Sequence, residues 1–192
     1  MSDDSRFLKL LEALRKGDGQ AARELHAEYE PYIHRAVRTR LRNEPALRRV
    51  VDAEDVCQSV MRSFFLRYHF GQYELGGPDE LRGLLHRMMK NKYQDLRRRH
   101  YGGNRDGRRN ADLPPGGEVP APERTPSSIV GWKELLYKAE ERFSLEERDI
   151  YRRSQEQGLT WAQIAEQLGG TAEGRRKQWE RACKRVMQEL DL

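Results

Sequence analysis

Cysteine is scarce in this chain: Cys57 and Cys183 are the only two among 192 residues, too few for a disulfide framework or a cysteine zinc site. Both fall inside helical patterns, which reads as reduced, packed thiols in a cytoplasmic protein. No apolar run approaches the ~20 residues needed to span a bilayer, and no secretory signal opens the chain. Alternating apolar and polar runs are lacking as well, so strands are not expected. The five histidines, His26, His34, His69, His86 and His100, fall at no metal-ligand spacing. A glycine-rich phosphate loop ending in Lys-Ser/Thr and a Cys/His nucleophile pair are equally absent, so neither an enzyme nor a bound cofactor is expected.

Charge and helical periodicity are what the chain does have. With 36% hydrophobic and 35% charged residues, it can build one or two small domains with modest cores. A net charge of +5 and a pI near 9.3 fit an anionic partner, and nucleic acid fits better than membrane. The excess is uneven: residues 1–100 carry 20 basic and 15 acidic side chains, whereas 101–192 carry 16 of each.

Apolar residues recurring at three and four predict an all-α fold. A first helix is expected over Arg6 to Arg15, closed by Gly17-Asp18-Gly19, and a second from Gln20 to about Arg42, interrupted or bent near Pro31. The stretch from Asp52 to Tyr68, DAEDVCQSVMRSFFLRY, predicts a third helix. Asp52 is its cap, and Asp55 stands near the positive end of its dipole. Val56, Cys57, Val60, Met61, Phe64 and Tyr68 form its apolar face, with Asp55, Gln58, Ser59 and Arg62 on the other side. Glu54 and Asp55 diverge by about 100° on a helix and do not form a catalytic pair.

After the turn-rich GQYELGGPDE, a helix over about Asp79 to His100 has a basic outer face. Between Leu81 and Arg109 ten Lys/Arg stand against two acids, a net of +8, a density that invites phosphates. Phe70, Tyr73, Tyr93 and Tyr101 are interleaved with it and can stack on unpaired bases, although core packing is the expected role of Phe70 and Tyr93. Residues 102–128, centred on PPGGEVPAPERTP, cannot bury a core and read as a flexible linker. The linker divides the chain into helical domains over 1–101 and 129–192. The second opens with a helix from Ile129 to Phe143, then one capped by Ser144 that runs to about Gln157.

The last stretch, GLTWAQIAEQLGGTAEGRRKQWERACKRVMQEL, predicts a helix-turn-helix. Thr160 with Gln163 makes a capping box, Gly169 and Gly170 make the turn, and Thr171 caps the second helix. Ala172, Trp179, Ala182, Val186 and Leu190 form the inward stripe of that helix. From Thr171 to Met187 six Lys/Arg face two acids, a net of +4, which suits a major groove.

In this order, DAEDVCQSVMRSFF, a basic helix ending in DLRRR, a linker and LTWAQIAEQLGGTAEGRRKQWERACKRV resemble the extracytoplasmic-function (ECF) group of bacterial RNA polymerase sigma factors, over nearly the whole chain. The resemblance implies a non-enzymatic two-domain protein that binds core RNA polymerase and directs it to promoter DNA. It implies that Asp52, Asp55, Gln58, Ser59 and Arg62 dock on the largest-subunit clamp. Tyr73, Lys90, Asn91, Gln94, Arg97, Arg98 and Arg99 would then serve the minus-10 element. Thr160, Thr171, Glu173, Arg175, Arg176, Lys177, Arg181 and Lys184 would serve the minus-35 element beside the polymerase flap. An anti-sigma factor is a further candidate partner. Some residues depart from the family pattern: Arg175 stands at an inward position that is usually apolar, where a rotated helix or a reach to phosphate would accommodate it, and Arg82 replaces an aromatic. The alternative function is a stand-alone helix-turn-helix regulator that binds duplex DNA without polymerase.

Overall fold

The computed structural model describes residues 3–102 and 131–192, and these residues form helices and no strands. The first helix, α1 (Asp3–Arg15), buries Phe7, Leu11 and Leu14 on one stripe and ends at Gly17, whose φ of +80° is left-handed. Asp18 then accepts a hydrogen bond from the Gln20 amide and starts α2 (Gly19–Arg42). Of the interruption or bend expected near Pro31, the interruption does not occur: α2 continues through it, with Leu25, Tyr29, Ile33, Val37 and Leu41 buried in sequence. Pro31 and Ala27 are both exposed, so the carbonyl that loses its intrahelical donor is on the solvent side.

A short helix, α3 (Pro45–Arg48), drops Leu47 into the core, and Asp52 caps α4 (Ala53–His69) by accepting from the Glu54 amide at 3.0 Å. The central α4 buries eleven of its residues and packs against α1, α2 and α5 (Pro78–Gly102). Cys57 is buried there, and burial pushes its thiol up to about 12, as an inert packed cysteine requires. The expected linker lies outside the described residues, except for Gly102, the last residue of α5.

Beyond it, α6 (Gly131–Glu141) precedes Ser144, whose capping box with Glu147 opens α7 (Leu145–Tyr151). The helix expected to run on to Gln157 changes character at Arg152, where a π-helical turn over Arg152–Glu156 leads to Gly158 at φ +66°. Thr160 and Gln163 form the expected capping box of α8 (Trp161–Leu168). Gly169 and Gly170, at φ +78° and +85°, turn the chain, and Thr171 caps α9 (Ala172–Glu189) by accepting from the Gly174 amide.

The two groups of helices share one buried cluster. Phe70, at the end of α4, is fully buried with its ring edge-on to Phe143, Tyr151 and Trp179 at centroid distances of 5.0, 5.5 and 6.0 Å. The Trp179 indole N–H donates to the Phe70 carbonyl at 3.0 Å. Next to it the Tyr151 hydroxyl and His69 Nε2 are 3.0 Å apart, and Trp132 of α6 meets Phe65 edge-on at 5.7 Å. The sequence pattern assigns Phe70 and Trp179 to separate cores, whereas they pack on each other.

Two outcomes follow from this packing. Trp179→Phe keeps a ring but leaves the buried Phe70 carbonyl without its donor, so unfolding in urea should show a loss of about 1–3 kcal/mol; an unchanged midpoint would remove the bond from the account. His69 is buried, and burial lowers its pKa despite the nearby Leu14 and Arg15 carbonyls, so the fold holds it neutral. The unfolded chain therefore binds its proton first. This part of the stability is intact above about pH 6.5 and fades as pH falls through the lower folded value. His69→Gln should flatten the melting-temperature decline between about pH 6.5 and 5 relative to the parent chain, and an equally steep decline would show that His69 does not drive it.

Candidate polymerase and nucleic-acid surfaces

On α4 the polar side chains expected to meet a partner lie outward but do not form one patch. Asp55 and Arg62 are exposed, seven positions apart, and Asp55 makes no side-chain hydrogen bond or ion pair among the described residues. Asp52 is exposed while capping the helix. Gln58 and Ser59 diverge. Gln58 donates to Glu54 at 3.1 Å and leans towards α6, where with Arg62, Trp132 and Leu135 it lines a small crevice. Ser59 faces the opposite flank, where its hydroxyl is buried without a hydrogen-bond partner.

That opposite flank opens into a cleft of about 500 Å³ between α4, α5 and α9. The cleft brings together members of all three predicted sets: Ser59 from α4, Tyr73, Asn91 and Arg99 from the loop and α5, and Lys184 from α9. Two residues that sequence reasoning did not single out complete it. Arg67 is held by Ser63 and Gln72, at 3.2 Å each, and Lys92 donates to the Asp191 carbonyl at 3.2 Å. Burial lowers the Lys92 pKa, and the neighbouring Arg99 lowers it further, so the cleft carries positive charge that its own acids do not fully balance. The sequence signal for Arg67 is its i, i+4 spacing from Ser63, which lies outside the basic count over Leu81 to Arg109.

The rest of the α5 set is exposed. Lys90, Asn91 and Gln94 face solvent, Arg98 pairs with Asp95 at 2.8 Å, and Arg97 pairs with Glu44 at 2.8 Å. Tyr73 is half-buried, its carbonyl accepting from Arg15 at 3.3 Å, and Tyr93 is buried as core.

Along α9 the outward residues Glu173, Lys177, Arg181 and Lys184 are exposed, as are the capping residues Thr160 and Thr171. Arg176 is held between Glu173 and Glu180, and its hydrogen bonds bring the Glu173 carboxyl down to about 2. Arg175 corrects one expectation. Its guanidinium does not reach outward to phosphate. It donates to the Leu168 and Gly169 carbonyls, the latter at 2.9 Å, and also pairs with Glu146 of α7 and bonds Gln178. The left-handed Gly169 and Gly170 end α8 with unsatisfied carbonyls, and a long cation with several donors meets that demand where an apolar side chain could not.

Arg175→Ala should therefore lower stability by about 1–3 kcal/mol, seen in thermal or urea unfolding. The salt dependence of DNA binding should stay as in the parent chain, and a flattened slope would return Arg175 to the phosphate-contacting set.

Compared with known proteins, residues 4–192 match the family model described as ECF sigma factor. No curated protein and no solved structure gives a significant match.

Proposed function

We infer how this chain works from the family to which it belongs, the ECF sigma factors, whose model spans residues 4–192. That family is non-enzymatic and acts in transcription initiation, and this is the chain's role. The finer reading is that the helices of residues 1–101 bind core RNA polymerase and the minus-10 element, while residues 129–192 take the minus-35 element as a helix-turn-helix. Docking on the largest-subunit clamp is assigned to Asp52, Asp55, Gln58, Ser59 and Arg62, of which Asp52, Asp55 and Arg62 are exposed.

On the DNA side, Lys90, Asn91, Gln94 and Arg97 to Arg99 offer cations and amides along α5 to the minus-10 strand, with Tyr73 at its edge. Thr160, Thr171, Glu173, Arg176, Lys177, Arg181 and Lys184 face the minus-35 duplex and the polymerase flap, while Arg175 positions α9 from behind. An anti-sigma factor is proposed as a regulating partner and the cytoplasm as the location. Asp55 carries the docking assignment: it is exposed on the central helix and its side chain makes no hydrogen bond or ion pair among the described residues.

Asp55→Arg tests it. A cation near a helix N-terminus costs only about 0.3–1 kcal/mol, so helicity and melting temperature should hardly change. Retention on immobilised core polymerase should fall sharply, and transcription by the reconstituted enzyme should fall with it. Gln58→Ala should act in the same direction, but less strongly. Undiminished polymerase binding by Asp55→Arg would sink the docking assignment, and tight, sequence-selective duplex binding by the parent chain alone would favour a stand-alone regulator.

A further inference from the structure

A further basic stretch of the described fold lies at the end of α2 and on α3. Residues 31–51 contain six arginines, at 35, 38, 40, 42, 48 and 49, against one acid, Glu44. Arg40 is turned inward to His86, at 3.1 Å. The other five are exposed and have no ion pair or side-chain hydrogen bond among the described residues. Arg35, Arg38 and Arg42 fall at i, i+3, i+7 and so form one stripe on α2. Arg48 and Arg49 follow at the end of α3.

Where this stripe leads is fixed by the packing of α2 on α5. The Tyr32 hydroxyl lies 3.4 Å from His86, the Tyr93 hydroxyl donates to the Arg40 carbonyl at 3.4 Å, and Glu44 pairs with Arg97 at 2.8 Å. Contacts that advance together from 32 to 44 and from 86 to 97 mean that the two helices run in the same direction. Their basic C-terminal ends therefore meet at one end of the bundle, with Glu44 neutralised between them by Arg97. Like charges gathered there destabilise the bare fold slightly, and Glu44 and Asp95, paired with Arg97 and Arg98, offset them only in part.

We propose that Arg35, Arg38, Arg42, Arg48 and Arg49 form a second phosphate-binding track for promoter DNA, continuous with Arg97 to Arg99 and running further along the nucleic-acid backbone. The track rests on the reading that α5 contacts DNA. Its chemistry is backbone neutralisation without base readout. The side chains are long, exposed and unbraced, and no apolar groove or fixed acceptor accompanies them. A protein partner would need a complementary acidic face and some buried apolar area, and the exposed large apolar side chains of this stretch, Tyr32 and Val50, stand at its two ends and form no patch between the arginines.

The test uses the full chain with a fluorescent, partly melted duplex of arbitrary sequence, titrated with salt. The triple variant Arg35→Gln, Arg38→Gln and Arg42→Gln should weaken binding. It should also reduce the log–log salt slope by up to about 0.9 for each duplex phosphate no longer neutralised, or about 0.7 for each phosphate of a single strand. The Lys triple variant at the same positions should restore the slope, which separates an effect of charge from an effect on folding. Arg97→Ala, Arg98→Ala and Arg99→Ala in a separate chain test the α5 reading itself. A slope lowered by the α5 variant and unchanged by the α2 variant overturns the second track and leaves that reading standing. If neither variant changes the slope, or the parent chain fails to bind at low salt, both fall. Weaker retention on core polymerase with an unchanged DNA slope would assign the α2 stripe to a protein surface and overturn the track.

Discussion

The packing of Phe70 on Trp179 holds the two groups of helices together. A carbonyl at the end of α4 has left the helical ladder and is buried, so it must find a donor from elsewhere in the fold. The donor is an indole N–H 109 residues away, and the ring that carries it is the same surface against which Phe143 and Tyr151 stack. Satisfying one backbone group thus fixes the rotation of α9 about its axis. The residues that α9 turns outward, Lys177, Arg181 and Lys184 among them, follow from that rotation.

Arg175 and Arg176 show how adjacent cations acquire different roles. Both are on the first turns of α9, about 100° apart, and that angle sends one inward and the other outward. Arg175 is needed because two glycines end α8 with bare carbonyls, and the guanidinium bonds them at little cost in freedom since its side chain is mostly buried. Arg176 is instead held by two exposed carboxylates. Such surface pairs contribute little to stability, so a stronger anionic or base-edge acceptor can replace them readily.

Local signals were legible in the sequence and long-range ones were not. Asp52, Ser144, Thr160 and Thr171 cap the helices as read, because a cap needs only its own next three residues. The all-α fold, the buried stripes and the glycine turn follow from periodicity for the same reason. Whether Pro31 interrupts α2 was not legible, because the cost of proline depends on whether the carbonyl it leaves bare is buried, and that is a tertiary fact. The packing of Phe70 on Trp179, the parallel run of α2 and α5 and the split between Gln58 and Ser59 depend on pairings across tens of residues. The arginines of α2 were in plain view, but their meaning lies in which other helix end they meet.

Charge at the cleft between α4, α5 and α9 acts across the same junction as the aromatic cluster. Arg67, Lys92, Arg99 and Lys184 converge there beside Asp95 and Asp191; burial lowers the Lys92 pKa and Arg99, on the same helix, lowers it further, while Asp191 and Asp95 draw it the other way. Across the junction Lys92 of α5 is attracted to Asp191 and donates to its carbonyl, so this contact acts together with the stacking around Phe70. A polyanion lying along the cleft would relieve the repulsion between Lys92 and Arg99 without touching the aromatic part. The four cations therefore favour nucleic acid in the cleft, while the apolar contacts keep the helices that line it in register before it arrives.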